Sequence, residues 1–154
     1  MKKGIVLSIG ILFFATLLMS IAPSITASAP ATNDQITLQE QVDLNDPMIK
    51  GKAIYEGAGL CSVCHQVNGQ GLTPAFPPLA EADYLLADKN RAIHQTMYGS
   101  KEPIVVNGVT YPGGVMTPAN LTDEEVMLVV NYILNSWGND GGTVTIEEVA
   151  AQRK

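Results

Sequence analysis

Two cysteines and a histidine lie within five consecutive residues, Cys61-Ser-Val-Cys64-His65, and the chain has no other cysteine. A Cys-x-x-Cys-His pentapeptide is typical of a covalent attachment site for haem. In that chemistry each thiol adds to one vinyl group of the porphyrin, and the histidine becomes the proximal ligand of the iron. We therefore predict that Cys61 and Cys64 bind one haem covalently and that His65 binds its iron.

Three other interpretations of the cysteine pair are open. Two such cysteines also occur as a structural disulfide, as a thioredoxin-like redox couple or as half of a zinc site. A structural zinc site needs four ligands, and outside the motif only His94 is a plausible fourth. A thioredoxin-like motif belongs at a strand-to-helix junction, whereas this one precedes a loop rich in glycine and proline. Haem attachment is therefore the favoured interpretation.

A second axial ligand must come from elsewhere in the chain. The candidates are Met48, Met97, Met116, Met127 and His94. Met97 and Met127 have the spacing of helical core residues, where methionine usually fills gaps. Met116 instead lies in an irregular glycine-rich loop that directly precedes the last long helix. We predict that Met116 is the second iron ligand. One alternative is that Met116 only packs on the porphyrin. The other is that His94 binds the iron instead, although we expect His94 to be solvated.

Helices are predicted to position these residues, and each has a start or stop signal in the sequence. A small β-hairpin with an Asn-Gly turn is predicted among them. Before the hairpin, the predicted elements are a helix starting at Asp46-Pro47 and ending at Gly57, a loop over Asn68–Pro78, a short helical turn within Leu79–Ala87, and a helix Lys89–Tyr98 capped by Asp88. The hairpin spans Ile104–Tyr111, and a short helix capped by Thr145 with Glu148 is predicted near the end of the sequence. Between them, Thr122 with Glu125 opens a longer helix whose apolar face carries Val126, Val129, Val130, Ile133 and Leu134.

Three parts of the chain differ in composition. Lys2 and Lys3 precede an apolar run, so residues 1–27 are predicted to be a signal peptide or an uncleaved N-terminal membrane anchor. Residues 28–45 are polar and lack a helical pattern, which predicts a flexible linker. Residues 46–154 are predicted to form the haem domain. Because haem is attached outside the cytoplasm, we expect an exported protein, in the periplasm or on the outer face of the cytoplasmic membrane.

The charge of the chain restricts its partners. Lysine and arginine number 9 against 15 aspartates and glutamates, a formal net charge of −6 at pH 7. This balance argues against a basic patch, so we predict no nucleic-acid partner. A protein partner with a positive rim would be attracted, at a rate that falls as salt rises. The alternative is that the acidic surface serves only solubility.

The chain resembles class I cytochromes c from Gly51 to His65, in the loop Asn68-Gly-Gln-Gly71, and at Met116 before a C-terminal helix. This resemblance implies an all-α fold, the small cytochrome c fold around one covalently attached haem c, here with a minor β-hairpin. It implies that the N- and C-terminal helices cross beside the haem. It also implies that a carbonyl near Pro77 or Pro78 accepts a hydrogen bond from the His65 ring.

Three further segments, Phe76–Leu79, Ile104–Tyr111 and Asn135–Asn139, are similar to the cytochrome c domain fused to some copper nitrite reductases. A copper site needs several histidines and the chain has two, so nitrite chemistry itself is not expected. The resemblance implies redox protein partners such as a nitrite reductase, a terminal oxidase or a dehydrogenase. The N-terminal segment is a candidate membrane tether for such an encounter.

The predicted ligands decide between two functions. Histidine and methionine together would saturate the iron, which favours a single-electron carrier and no enzyme activity. The alternative is a haem-based gas sensor or a peroxidase-like haem protein with a labile sixth ligand. Trp137, Tyr84 and Tyr111 are candidate hydrogen-bond donors to a haem propionate, because each carries one polar atom on a large ring. The alternative for these three is that they only fill the core.

Overall fold

A computed structural model describes residues 43–153 of the chain. The described part is mainly helical and contains one two-stranded antiparallel sheet, so the predicted all-α class with a minor hairpin is confirmed. In chain order the elements are α1 (Pro47–Glu56), α2 (Cys61–His65), α3 (Asp83–Leu86), α4 (Lys89–Tyr98), β1 (Ile104–Val106), β2 (Val109–Tyr111), α5 (Asp123–Leu134) and α6 (Ile146–Ala151).

The predicted signal peptide or anchor, residues 1–27, and most of the predicted linker lie outside the described residues. The last linker residues form a turn in which the Asn45 N–H donates to the Asp43 carboxylate at 2.9 Å. Between residues 43 and 153, no helix has the length and hydropathy needed to cross a bilayer. The division into signal or anchor, linker and domain therefore stays a prediction.

Side-chain caps begin four of the helices at the residues that the sequence predicted. Asp46 accepts from the Met48 N–H at 2.8 Å at the start of α1, and Asp88 caps α4. Thr122 and Thr145 each form a capping box with the glutamate three residues later. Each cap satisfies N–H groups that have no partner within the first helical turn. The boundaries of α1, α4, α5 and α6 are therefore encoded locally.

Helix α5 supplies the centre of the hydrophobic core. The apolar face predicted for it is buried along its whole length: Val126, Val129, Val130, Ile133 and Leu134. Tyr55 from α1 and Ile93 from α4 are both 0% exposed against it. A second, smaller cluster forms where Ala82 meets Val106 and Tyr111 of the hairpin. The hairpin therefore packs through one face onto the α3 segment.

Helix α1 and the last long helix, α5, pack at very short range, as the resemblance implied for the N- and C-terminal helices of the fold. Gly51 lies at the contact and is buried. A Cβ atom on Gly51 would stand 2.6 Å from Cβ of Tyr132 and would also collide with the carbonyl oxygen of Leu128. Because only glycine fits this space, the separation of the two helices depends on residue 51.

We predict that Gly51→Ala destabilises the haem-loaded protein by about 1–3 kcal/mol, because the added methyl group must push α1 away from α5. The loss is expected even though alanine favours a helix over glycine by about 1 kcal/mol. The neighbouring Lys52 is exposed and pairs only with Glu56, so Lys52→Ala should stay within about 0.5 kcal/mol. Denaturant unfolding measures both variants, and equal stability would contradict this packing.

Candidate haem site

A cavity of about 530 Å³ lies between α2, α4, the hairpin and the loop that precedes α5. All four residues predicted to bind the cofactor line it: Cys61, Cys64, His65 and Met116. Most other lining side chains are apolar, such as Phe76, Leu85 and Ile133. The structure therefore brings the cysteine-histidine motif and the methionine, some fifty positions apart in the sequence, to one largely apolar cavity.

Helix α2 presents the motif residues and is bounded by two unusual backbone conformations. Leu60 before it has φ +53° and Gln66 after it has φ +64°, a region that residues other than glycine adopt at a cost. The Tyr55 hydroxyl donates to the Gln66 carbonyl at 2.7 Å, and Tyr55 is completely buried. A core residue of α1 thus fixes the end of α2 next to His65.

His65 is buried, and its Nδ1 lies 2.9 Å from the carbonyl oxygen of Pro77. Since a carbonyl only accepts, Nδ1–H is the donor and Nε2 keeps its lone pair. Burial lowers the pKa of His65 below its usual value, against the opposing effect of the Pro77 hydrogen bond. The ring is therefore neutral at neutral pH, which is the form that binds a metal.

Gly71 lets the loop after α2 come close enough to make that hydrogen bond. Its N–H donates to the His65 carbonyl at 2.9 Å, and its φ is +63°. A Cβ atom at this position would lie 2.6 Å from the carbonyl carbon of Pro77. A larger residue would therefore displace the carbonyl that orients the His65 ring.

The cysteine pair does not have the features of the competing interpretations. Cys61 and Cys64 are free thiols rather than a disulfide. Burial raises the pKa of the Cys61 thiol to about 11, whereas redox-active pairs have a lowered pKa. Over residues 43–153, no group of three or more histidine, cysteine or acidic side chains is placed to hold a metal ion. Two free cysteines beside an apolar cavity fit covalent haem attachment.

The loop that carries Met116 is tied to the end of α4 by backbone hydrogen bonds. The Ser100 N–H donates to the Met116 carbonyl at 3.0 Å, and the Gly114 N–H donates to the Ser100 carbonyl at 2.7 Å. The Ala119 N–H donates to the Thr96 carbonyl at 3.0 Å beyond it. These bonds hold the Met116 backbone at the edge of the cavity from both sides.

The other candidate ligands lie away from the cavity. Met97 is 5% exposed and belongs to the core, and Met48 and Met127 pack against its edge. His94 is exposed, and its ring packs at a tilt of 50° against that of Tyr98, with centroids 4.8 Å apart. Within the described part of the chain, Met116 is the only methionine that lines the cavity.

The three aromatic candidates for propionate binding differ in position. Tyr84 and Tyr111 line the cavity, and Tyr111 shares a hydrogen bond of 3.1 Å with the Thr73 hydroxyl. The Tyr84 hydroxyl accepts from the Gln95 amide at 3.2 Å. Trp137 does not line the cavity. Its indole N–H instead donates to the Val67 carbonyl at 3.1 Å. Its role in the structure is packing, the alternative stated for it above.

Several polar residues that line the cavity were not identified from the sequence. Arg91 and Gln95 of α4 are two of them. Their i, i+4 spacing places them on one helix face, away from the apolar pair Ile93 and Met97. A polar face of an amphipathic helix normally meets solvent, and nothing in the local sequence shows that other segments cover it.

The fold and the cavity fit a small helical protein built to hold haem, since thiols, a neutral imidazole and apolar walls converge there. The sequence profile of the cytochrome c family matches residues 48–137, more than half of the chain. The chain therefore belongs to the cytochrome c family. Haem c is attached covalently in this family, and the match includes the whole motif together with Met116.

Curated relatives of two kinds are similar to the chain. Cytochrome c-552 of Thermus thermophilus is 42% identical over 83 residues, which are 51% of this chain and 63% of that protein. The cytochrome c subunit of gluconate 2-dehydrogenase from Pantoea cypripedii is 33% identical over 110 residues, 68% of this chain and 24% of that subunit. The cytochrome c subunit of the alcohol dehydrogenase (quinone) from Gluconobacter oxydans is 28% identical over 108 residues, 60% of this chain and 20% of that subunit. The chain thus spans less than two thirds of each of these relatives.

We predict that Tyr55→Phe destabilises the haem-loaded protein by about 1–3 kcal/mol, because the Gln66 carbonyl loses its buried donor. The matched control is Tyr98→Phe, which removes a hydroxyl that donates to the Gln152 carbonyl at 3.1 Å on the surface. That variant should stay within about 0.5 kcal/mol of the wild type. Denaturant unfolding compares the two, and a larger loss at Tyr98 would be inconsistent with the structural role of Tyr55.

Proposed function

We propose that the chain is a single-electron carrier with one haem c, attached through Cys61 and Cys64 and bound axially by His65 and Met116. The convergence of these four residues on one cavity is the observation that supports this proposal most strongly. When bound, haem supplies an iron that alternates between the ferrous and ferric states. The chain supplies the ligands, their orientation and the exclusion of water.

Each site residue has a role that follows from its surroundings. The Pro77 carbonyl fixes the His65 tautomer and directs Nε2 toward the cavity. The bonds to Ser100 limit the movement of Met116, which favours a permanent sixth ligand over a labile one. Apolar walls disfavour the additional charge of the oxidised cofactor, and a thioether ligand acts in the same direction. Both effects raise the reduction potential.

The relatives and the cavity rim support a protein partner. Two of the relatives are cytochrome c subunits of dehydrogenases, so we propose a dehydrogenase as electron donor. A nitrite reductase or terminal oxidase remains the acceptor implied by the sequence resemblance. Leu60, Val63 and Val115 line the cavity and are 66%, 67% and 44% exposed. This apolar rim would make the closest contact with a partner, and the net negative charge would steer its approach.

The location of this exchange is also a proposal. Residues 1–27 would export the protein or tether it to the membrane, and residues 28–45 would link this segment to the haem domain. The carrier would then work in the periplasm or on the outer face of the cytoplasmic membrane. The support is the basic and apolar character of residues 1–27 and the extracytoplasmic attachment of haem c.

We predict that Met116→Leu removes the weak red absorption band of methionine-ligated ferric haem and lets carbon monoxide bind the reduced protein. Leucine preserves the size and apolar character of the side chain but has no sulfur ligand. The midpoint potential should fall, because the ligand that favours ferrous iron is lost. Absorption spectra of both oxidation states and a redox titration measure these changes.

The matched control is Met127→Leu, the same substitution at a methionine that packs on the core edge away from the cavity. It should keep the red band and exclude carbon monoxide. If instead the wild type lacks the band and binds carbon monoxide readily, the iron has an open position. The gas-sensor or peroxidase-like function would then replace electron transfer.

A further inference from the structure

Arg91 is the only lysine, arginine, aspartate or glutamate among the described residues that line the haem cavity. It comes from the middle of α4, and its side chain is half-buried. The chain contains 15 acidic residues, yet none of those described lies on the cavity wall. The wall therefore carries one permanent positive charge and no negative charge of its own.

The charge of Arg91 has no carboxylate partner in residues 43–153. The ion pairs there join Lys52 to Glu56, Lys89 to Glu148 and Arg153 to Asp123. The guanidinium instead lies over an aromatic ring, with its central carbon 3.7 Å from the centroid of Tyr84. One terminal nitrogen, Nη2, donates to the Tyr84 carbonyl. These contacts hold the guanidinium in place without neutralising it.

One donor of this group is left without a partner. Arg91 Nε is buried and makes no hydrogen bond, and it is the only such buried side-chain nitrogen or oxygen among the described residues. A buried donor on a charged group costs free energy unless an acceptor meets it. The matching acceptor for a guanidinium is a carboxylate, which can take two parallel N–H groups. Arg91 is thus oriented for an anion that the described protein residues do not supply.

We propose that Arg91 binds a propionate carboxylate of the haem, with Nε–H as one of its donors. The proposal rests on the haem site proposed above, because a bound porphyrin would bring its propionates into the same cavity. The contact with the Tyr84 ring positions the guanidinium, and the hydrogen bond from Gln95 to the Tyr84 hydroxyl holds that ring. Arg91 is therefore a positioning residue for the cofactor.

The positive charge also has a consequence for the redox equilibrium. Oxidation of the haem iron adds one positive charge to the cofactor, and a fixed cation nearby disfavours that state. The low dielectric constant of an apolar cavity strengthens this effect relative to a surface charge. Arg91 should thus favour ferrous haem and raise the midpoint potential.

The test compares Arg91→Gln, Arg91→Lys and the control Arg153→Gln in the haem-loaded protein. Arg153 carries the same charge, but it lies on the surface, bonded to Asp123. Resonance Raman spectra report hydrogen bonding of the propionates, and redox titration gives the midpoint potential. Arg91→Gln should shift the propionate bending bands and lower the potential. Arg153→Gln should leave the bands unchanged and alter the potential less.

Arg91→Lys keeps the charge but lacks Nε–H and the planar fork. We expect Arg91→Lys to shift the propionate bands, whereas its midpoint potential should stay closer to that of the wild type. If Arg91→Gln fails to fold, Arg91→Lys provides the test in its place. Propionate bands that do not move in either variant would overturn the proposal. An unchanged absorption spectrum in the variants shows that the iron ligands are intact, so this failure differs from a failure of the haem site itself. A wild type without bound haem would overturn the proposed function, and this inference with it.

Discussion

The hydrogen bond from the His65 ring to the Pro77 carbonyl joins the two segments that form one side of the cavity. It determines which ring nitrogen faces the cavity, so the chemistry proposed for the site depends on it. The loop between them can close only because Gly71 has no side chain to displace Pro77. The reverse bond, from the Gly71 N–H to the His65 carbonyl, closes the same loop on its backbone side. One short segment thus supplies the proposed iron ligand and the group that orients it.

The hydrophobic core supports this segment from behind. Tyr55, Tyr132 and Trp137 form an aromatic cluster with ring centroids 5.2–5.5 Å apart. Two of the three reach past the core: Tyr55 donates to the Gln66 carbonyl and Trp137 to the Val67 carbonyl. Consecutive carbonyls directly after the motif are therefore held by side chains from the α1–α5 region. The contact between α1 and α5 also includes Gly51 against Tyr132, which sets the distance between the two helices. The stability of the core and the geometry of the site are therefore coupled.

Much of the fold was predictable because its signals are local. Caps, glycine stops and an Asn-Gly turn act over three or four residues, and they located α1, α4, α5, α6 and the hairpin. The four predicted site residues came from motif chemistry and from the placement of Met116 in an irregular loop. Their approach to one cavity is a tertiary property, and the sequence indicated it only indirectly, through the need for a second iron ligand and the resemblance to a known family.

What was not predictable depends on packing between distant segments. Arg91 and Gln95 form the polar face of α4, and such a face is ordinarily solvated. Here both side chains contact Tyr84 of α3, and both lie on the cavity wall. The positive φ angles of Leu60 and Gln66 were also not predicted, because neither residue type favours that region. They persist because the surrounding contacts, such as that of Tyr55, determine the path of the chain.

Mass spectrometry of the purified protein under denaturing conditions tests the central claim most directly, since it asks whether Cys61 and Cys64 hold one haem covalently. Unfolding breaks axial ligation and packing, but it leaves thioether bonds intact. The account predicts that the chain retains the added mass of one haem after denaturation and acidic solvent extraction. Substituting both cysteines by serine should abolish that mass. A chain that releases its haem into the solvent, or never carries one, would contradict the account.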